Sequence, residues 1–196
     1  MSQGFVGVAE KLGEAIGMVQ CEPLHLANLF AAGSLAHHDP GQVLCQADET
    51  AESVFLLATG TVAVSKPDKH GTLRPIAELA GPAMLGHMGV IDGSPRSATC
   101  TITGPDTATV IHIRADVFLR LIKRPDPTGS ATRHLVLASL IRQLGNTNRT
   151  VAALLDGQPD QRAASQASSS EAVLDNEDLA LLEAVLRGWS IPPTNE

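Results

Sequence analysis

The central part of the sequence, from Gly33 to Arg114, consists of short runs rich in β-branched residues that end at turn signals. Dipeptides in which glycine stands next to proline or aspartate separate the runs. These turn signals recur about every 8–12 residues, which is typical of short antiparallel strands joined by tight turns. The clearest runs are SVFLLA from Ser53, TVAVS from Thr61, ATCTITG from Ala98 and TATVIHI from Thr107. The pattern predicts a mainly β fold, an antiparallel β-roll of the jelly-roll type.

Helical patterns flank this β region on both sides. Residues 1–32 carry apolar residues at three- and four-residue spacing, including a short second helix expected around Pro23 to Phe30, and are predicted to form an N-terminal helical cap. After the β region, Pro125 to Gly129 is expected to break the chain, and the longest helix is predicted over 131–156. The sequence therefore predicts one domain, 33–156, that combines the β-roll with this long helix.

The long helix has an apolar pattern that repeats every seven residues. Spacings of four and three alternate along it, which is typical of a coiled-coil seam with one polar position. The seam residues are Leu137, Ile141, Leu144, Asn148, Val151 and Leu155. A helix that only packs on its own barrel needs a wider apolar stripe, so the pattern favours a homodimer interface over that alternative.

Two further segments are predicted at the end of the sequence. Residues 157–170 are small and polar, cannot bury enough surface to order themselves, and are predicted to form a flexible linker. Residues 171–196 are predicted to form an amphipathic tail helix, with Asp175 three residues before Asp178 as an N-terminal capping signal. Its apolar face comprises Leu179, Leu182, Val185, Leu186 and Trp189. This helix either folds back on its own domain or docks in a groove of another protein.

Composition argues against several classes of protein. The 14 Lys and Arg residues against 21 Asp and Glu, with 3% aromatics, lack the basic footprint and stacking platforms of a nucleic-acid binder. No apolar run approaches the roughly 20 residues that a bilayer requires. The three cysteines are far apart and lack metal-ligand spacing, so we expect reduced thiols in a cytoplasmic protein without a metal or cofactor. Peptidase, hydrolase and P-loop motifs are absent from the sequence, which argues against an enzyme.

The segment GPAMLGHMGVIDGSPRSATC, which begins at Gly81, carries the most chemical information. Within it Gly86 precedes a brief helical turn, and the DGSP turn leads Arg96, Ser97 and Ala98 into the next strand. Free backbone N–H groups after a glycine, together with a guanidinium and a hydroxyl, make a compact cradle for a phosphate. A single cationic side chain inside a barrel suits a ligand with one negative charge.

From about Phe30 to Asp156, the chain resembles the cyclic nucleotide-binding domains of catabolite activator proteins and of protein kinase A regulatory subunits. The matching positions are Gly41, Val54 to Leu57 ending at Gly60, Gly71, Gly81, Gly86 and Pro95 to Thr99. The resemblance implies a regulatory module that senses a 3′,5′-cyclic nucleotide, cAMP above all, and transmits occupancy through its C-terminal helices to an unidentified protein partner. The residues after Asp156 contain no basic recognition helix, so direct DNA binding is not expected.

The resemblance also implies roles for individual residues. Arg96 would pair with the exocyclic phosphate, and Ser97 and the amide of Ala98 would hydrogen-bond it. Gly86 would let the backbone approach the ribose. The remaining candidate ligand contacts are His87 and Met88 beside that glycine, and Thr147 and Asn148 on the long helix, where the family places hydroxyl residues that reach the base from a subunit and its partner.

Two positions depart from the family pattern. The family normally has glutamate after the glycine, where this chain has His87, and loss of that acceptor for the ribose 2′-hydroxyl removes a hydrogen bond of about 1.5–3 kcal/mol. A protonated imidazole would instead add positive charge beside the phosphate. Ala47 stands where the family has a glycine, which affects only a turn. Two hypotheses follow: a retuned cyclic nucleotide sensor, or a degenerate domain without ligand that acts as a dimeric interaction scaffold.

Overall fold

The computed structural model describes residues 3–16, 18, 21–155 and 174–188. The helices are α1 Gln3–Ala15, α2 Pro23–Ala31, α3 His87–Asp92, α4 Ala115–Lys123, α5 Pro127–Leu155 and α6 Asn176–Gly188. The strands are β1 Ser34–His38, β2 Val43–Cys45, β3 Ser53–Thr59, β4 Thr61–Pro67, β5 Leu73–Ala80, β6 Ala83–Leu85, β7 Thr99–Thr103 and β8 Ala108–Arg114. None of the described helices combines the length and apolar character needed to cross a membrane.

The strands form two antiparallel four-stranded sheets, with the orders β1-β8-β3-β6 and β2-β7-β4-β5. Strand β3 is central to the first sheet, and its Phe55 lies opposite both Leu85 of β6 and His112 of β8. Strand β7 joins β2 to β4 in the second sheet. The predicted antiparallel β-roll with flanking helices is confirmed, and its four clearest runs correspond to β3, β4, β7 and β8.

The two faces of β3 point into two different cores, because successive side chains of a strand alternate in direction. Phe55 and Leu57 belong to a cluster drawn from both sheets, which fills the interior of the roll. Val54 and Leu56 instead belong to the cluster that packs the helices on the outer face of the first sheet. This alternation explains why β3 is a nearly continuous apolar run in the sequence.

The long helix α5 begins at Pro127, four residues before its predicted start. Proline is tolerated in the first turn of a helix because that turn needs no N–H donor. The Asp126 carboxylate accepts a hydrogen bond from the Gly129 N–H at 2.9 Å and caps this end. The predicted break over Pro125 to Gly129 was therefore too long, because its second half is helix. Buried Ala131 and Leu135 lie on the face of α5 toward the domain.

The tail helix α6 folds back on its own domain, where it contacts α1 and β1. Leu182 and Leu186 are buried in the same cluster as the apolar residues of α1. Of the two alternatives for this helix, residues 176–188 adopt the fold-back on their own domain, so their apolar face is already occupied and does not dock in another protein. The predicted linker 157–170 and Trp189 lie outside the described residues.

Polar contacts fix the N-terminal end and the middle of this docked helix. The N–H of Asp178 donates to Oδ1 of Asp175 at 2.9 Å and the N–H of Asp175 donates to Oδ2 of Asp178 at 3.1 Å, which confirms the predicted capping signal. Lys11 of α1 pairs with Asp178, and His37 of β1 lies 2.9 Å from Oε1 of Glu183.

Candidate functional site

Arg96 is held in place by its own backbone before its side chain makes any contact. Its N–H donates to the carbonyl of Glu49 and its carbonyl accepts from the N–H of Asp48, both at 2.8 Å. Asp48 adopts a left-handed backbone with φ 69, so the turn forms although Ala47 replaces the family's glycine. The turn between β2 and β3 therefore anchors the segment that delivers Arg96 into β7.

The Arg96 guanidinium is buried, with only 5% of the residue exposed. Its Nη1 donates to the carbonyl of Gly86 at 2.8 Å, and its Nη2 donates to the carbonyl of Ser53 at 2.6 Å and to the Ser53 hydroxyl at 3.4 Å. Its Cζ lies 5.2 Å from the centroid of the Phe55 ring, a cation–π distance. Its Nε is buried and has no hydrogen-bond partner among the described residues.

This cation has no carboxylate counter-charge among the residues that the structure describes. Within the described part of the chain, none of the ion pairs involves Arg96. A buried charge without an opposite charge is costly, and neutral carbonyl acceptors compensate for it only in part. Together with the unpaired Nε, this arrangement favours an incoming anion at Arg96.

Gly86 is required at the start of α3 for two reasons. Its backbone is left-handed, with φ 72 and ψ 3, a conformation that side chains strain. A Cβ at this position would also lie 2.4 Å from Nη1 of Arg96. Any larger residue would therefore displace the guanidinium from the Gly86 carbonyl.

His87 follows Gly86 and is 1% exposed. Neither of its ring nitrogens has a hydrogen-bond partner among the described residues, and burial lowers the pKa of His87 to about 4. The imidazole is therefore neutral at physiological pH and adds no positive charge beside Arg96. The alternative of a protonated imidazole next to the phosphate is not supported, since burial disfavours the charged form.

The other candidate ligand residues are placed differently. Ala98 is buried beside Arg96 in the chain, whereas Ser97 and Met88 are exposed. Thr147 and Asn148 are exposed on α5, and the Thr147 hydroxyl donates to the carbonyl of Gln143 in its own helix at 2.9 Å. The structure thus brings Gly86 and Arg96 into contact, and the roles of Thr147 and Asn148 stay predictions.

Several contact residues of the site were not found from the sequence. Ser53 contacts Arg96 mainly through a backbone carbonyl, which leaves no residue-specific signal. His112 packs edge-on against Phe55 with ring centroids 5.0 Å apart, and its Nε2 lies 2.9 Å from that of His38. Burial and the neighbouring His38 lower the pKa of His112 to about 4. Side chains alternate in direction along β8, and this alternation is the sequence signal that could have placed His112 inside the roll.

No group of three or more His, Cys, Asp or Glu residues that could hold a metal ion is found in the residues that the structure describes. The potential ligands nearest to such a group are the His38 and His112 pair, which supplies two nitrogens.

Residues 35–125 match the family model of the cyclic nucleotide-binding domain. A search of curated protein sequences finds no match to the chain. The family match covers β1 to α4 and includes Gly86, His87 and Arg96, so this part of the chain is similar to a cyclic nucleotide-binding domain.

Solved structures share the fold at low sequence identity. A cyclic nucleotide-binding domain from Methylobacillus flagellatus aligns with a TM-score of 0.61 and 19% identity, covering 80% of this chain and 88% of its own. The catabolite activator protein of Thermus thermophilus gives 0.58 and 18%, covering 88% and 99%. The regulatory domain of Toxoplasma gondii PKA, solved with cAMP, gives 0.55 and 16%, covering 81% and 56%. These likenesses establish the fold.

The buried His87 and the half-buried His112 predict that the protein loses stability as the pH falls from 7 to 5. The pKa values of His87 and His112 are about 4 in the folded protein, against an ordinary value of 6.5. The unfolded chain binds protons in this window and the folded protein does not, so each histidine lowers the free energy of unfolding by about 1–2 kcal/mol. Urea unfolding at a series of pH values measures the loss.

Histidine variants test whether His87 and His112 cause this loss of stability. His87→Gln removes one of the two contributions, so the loss of unfolding free energy between pH 7 and pH 5 should fall to about half of that in the wild type. His70→Gln, in an exposed turn, is the matched control and should keep the full loss. An unfolding free energy that does not change with pH, or an equal loss in His87→Gln and the wild type, contradicts the assignment.

Proposed function

We propose that residues 33–156 are a regulatory module that binds a 3′,5′-cyclic nucleotide, most specifically cAMP, and passes its occupancy to a protein partner through the C-terminal helices. The observation that carries the proposal is the buried Arg96 guanidinium, which has neither a carboxylate partner nor a hydrogen-bond partner for its Nε in the part of the chain that the structure describes. A cyclic phosphodiester carries one negative charge and matches this single cation. The proposed compartment is the cytoplasm, because the widely spaced cysteines suit a reducing environment.

The phosphate would compete with two carbonyl oxygens for Arg96. A phosphate oxygen carries negative charge and a carbonyl oxygen does not, so the attraction between opposite charges favours the phosphate as the partner of the guanidinium. A phosphate at Arg96 would therefore draw the Nη donors away from the carbonyls of Gly86 and Ser53. Binding would in this way release a bond that now ties the start of α3 to the segment before β7.

A route from this bond to the C-terminal helices runs through α3. Helix α3 contacts β3 and α4, and α4 packs against α5. A change in the Gly86 contact with Arg96 would shift α3, and hence the elements that support α5. A ligand shifts such an equilibrium only by its differential contacts with the two arrangements, and Arg96 supplies those contacts.

We also propose that two copies of the chain pair along α5. The apolar seam residues are between 49% and 82% exposed, whereas the buried residues of the helix lie in its first part, from Thr128 to Ser139. An exposed apolar stripe at heptad spacing is typical of a coiled coil. The stripe comprises Leu137, Ile141, Leu144, Val151 and Leu155, with exposed Asn148 as its polar position.

The second candidate function is a dimeric scaffold that binds no ligand. It is supported by two features of the same site: Arg96 already bonds two backbone carbonyls, and His87 replaces the carboxylate that would hold a ribose hydroxyl. In this case the guanidinium serves only to connect β3, α3 and β7. The titrations below separate the two functions.

Calorimetric titration with cAMP and with cGMP tests the sensor function directly. The wild-type protein should bind at least one of them, and Arg96→Ala should weaken binding at least about tenfold, because a charged hydrogen bond is worth about 1.5–3 kcal/mol. Arg120→Ala, at an exposed arginine of α4, is the control and should bind as the wild type does. No heat with either nucleotide at millimolar concentration contradicts the sensor function and leaves the scaffold.

Restoring the family's carboxylate should strengthen binding. His87→Glu is expected to raise the affinity for cAMP by about ten- to a hundredfold, the equivalent of one charge-assisted hydrogen bond to the ribose. His87→Gln supplies an uncharged acceptor of similar length and should raise the affinity less. Equal affinity in the wild type and His87→Glu shows that this position does not face the ribose.

The dimer is tested by charging its seam. The double variant Ile141→Glu with Leu144→Glu should sediment as a monomer, because two carboxylates would be buried against their counterparts. Leu73→Glu, at an exposed leucine of β5, is the control and should leave the dimer intact. A double variant with the mass of the wild type in sedimentation velocity, or a monomeric wild type, rules the coiled coil out.

A further inference from the structure

Cys45 and Cys100 face each other inside the roll. Cys45 of β2 lies directly opposite Cys100 of β7, and an irregularity between Val43 and Cys45 sets this register. If β2 and β7 paired without this irregularity, Cys100 would lie opposite Leu44 instead of Cys45. The two cysteines are 7% and 6% exposed and belong to the same interior cluster.

The register places this pair within reach of a disulfide. Residues directly opposite in antiparallel strands have Cα atoms about 4.5–5.5 Å apart. Disulfides form at Cα separations of about 4.4–6.8 Å. The register therefore places the two Cα atoms in the range of a disulfide, and both thiols are free in this structure.

The two thiols are chemically unequal. The hydrogen bond with Cys100 and the positive charge of Arg96 lower the pKa of Cys45 to about 7 against the effect of burial, whereas the pKa of the Cys100 thiol is raised. On these directions, Cys45 is the thiol that loses its proton more readily of the two. The third cysteine, Cys21, lies 3.6 Å from Nδ1 of His134, and burial raises its pKa.

We propose that Cys45 and Cys100 form a redox modification site that hydroperoxides convert to an intrachain disulfide. The Cys45 thiolate attacks the peroxide, so that an S–O bond forms, the O–O bond breaks and the leaving oxygen takes a proton to become an alcohol or water. Cys100 then attacks the sulfenic sulfur, an S–S bond forms and water leaves with the Cys100 proton. The two sulfurs supply the two electrons that reduce the peroxide.

The location of the pair links its redox state to the charge around Arg96. The Cys45 Sγ lies 3.9 Å from the carbonyl of Ala98, in the segment that positions Arg96. Oxidation removes a negative charge that attracts the guanidinium and covalently joins β2 to the strand that follows Arg96. The disulfide is defined by the two strands alone and does not depend on whether a nucleotide binds.

Hydrogen peroxide treatment of the full chain tests the proposal. In a Cys21→Ser background, both remaining thiols should be lost, the intact mass should fall by about 2 Da, and peptide mapping should find Cys45 linked to Cys100 until a dithiol reductant is added. Two titratable thiols after treatment, or oxidation without this cross-link, overturn the proposal. This measurement uses native cysteines at both positions and requires no core substitution.

Single variants test the order of the reaction. In Cys100→Ser the sulfenic acid at Cys45 has no partner and should be trapped by dimedone, whereas Cys45→Ser should leave Cys100 unmodified. In the wild type, Cys21 serves as an internal control: it is more exposed than the pair, yet it should react at least about tenfold more slowly than Cys45 if thiolate character governs the rate. Faster reaction at Cys21, or equal dimedone labelling in both variants, contradicts the assigned nucleophile.

Discussion

The buried guanidinium of Arg96 connects three parts of the chain that are distant in sequence. Its two Nη atoms bond the carbonyls of Ser53 at the start of β3 and Gly86 at the start of α3, while its own backbone leads into β7. Gly86 can have no side chain because the guanidinium occupies that space. The local geometry of the segment from Gly86 to Arg96 is thus set by one cation that neutral oxygens hold in a buried environment.

Two histidines of the site, His87 and His112, add no positive charge to that of Arg96. Burial holds the pKa values of His87 and His112 at about 4, so both are neutral where Arg96 is charged. The positive charge of Arg96, in turn, helps to lower the pKa of the Cys45 thiol. A negative charge is therefore favoured near Arg96 whether a guest phosphate or a thiolate supplies it. The proposed ligand site and the proposed redox site follow from the same electrostatic condition.

The sequence predicted the features that depend on local pattern. The β-branched runs and their turns identified the strands, and Gly86 and Arg96, which the sequence analysis placed in one segment, contact each other in the structure. The reciprocal capping by Asp175 and Asp178 was also correct. The start of α5 was missed because a proline reads as a break, although the first turn of a helix accepts it.

The features that sequence reasoning missed depend on which surfaces meet in three dimensions. The apolar face of α6 is compatible with any apolar surface, so its docking on α1 and β1 could not be chosen in advance. The contact of Ser53 with Arg96 uses a backbone carbonyl, which every residue type possesses. The pairing of Cys45 with Cys100 depends on an irregularity in β2 that shifts the register by one residue.

A crystal structure of the protein grown with saturating cAMP tests the role of Arg96 most directly. We predict phosphate oxygens within about 2.7–2.9 Å of the Arg96 nitrogens, the distance of a charge-assisted hydrogen bond, and a Gly86 carbonyl released from Nη1. A guanidinium that still bonds Gly86 and Ser53 under these conditions, with the nucleotide elsewhere or absent, would contradict the account.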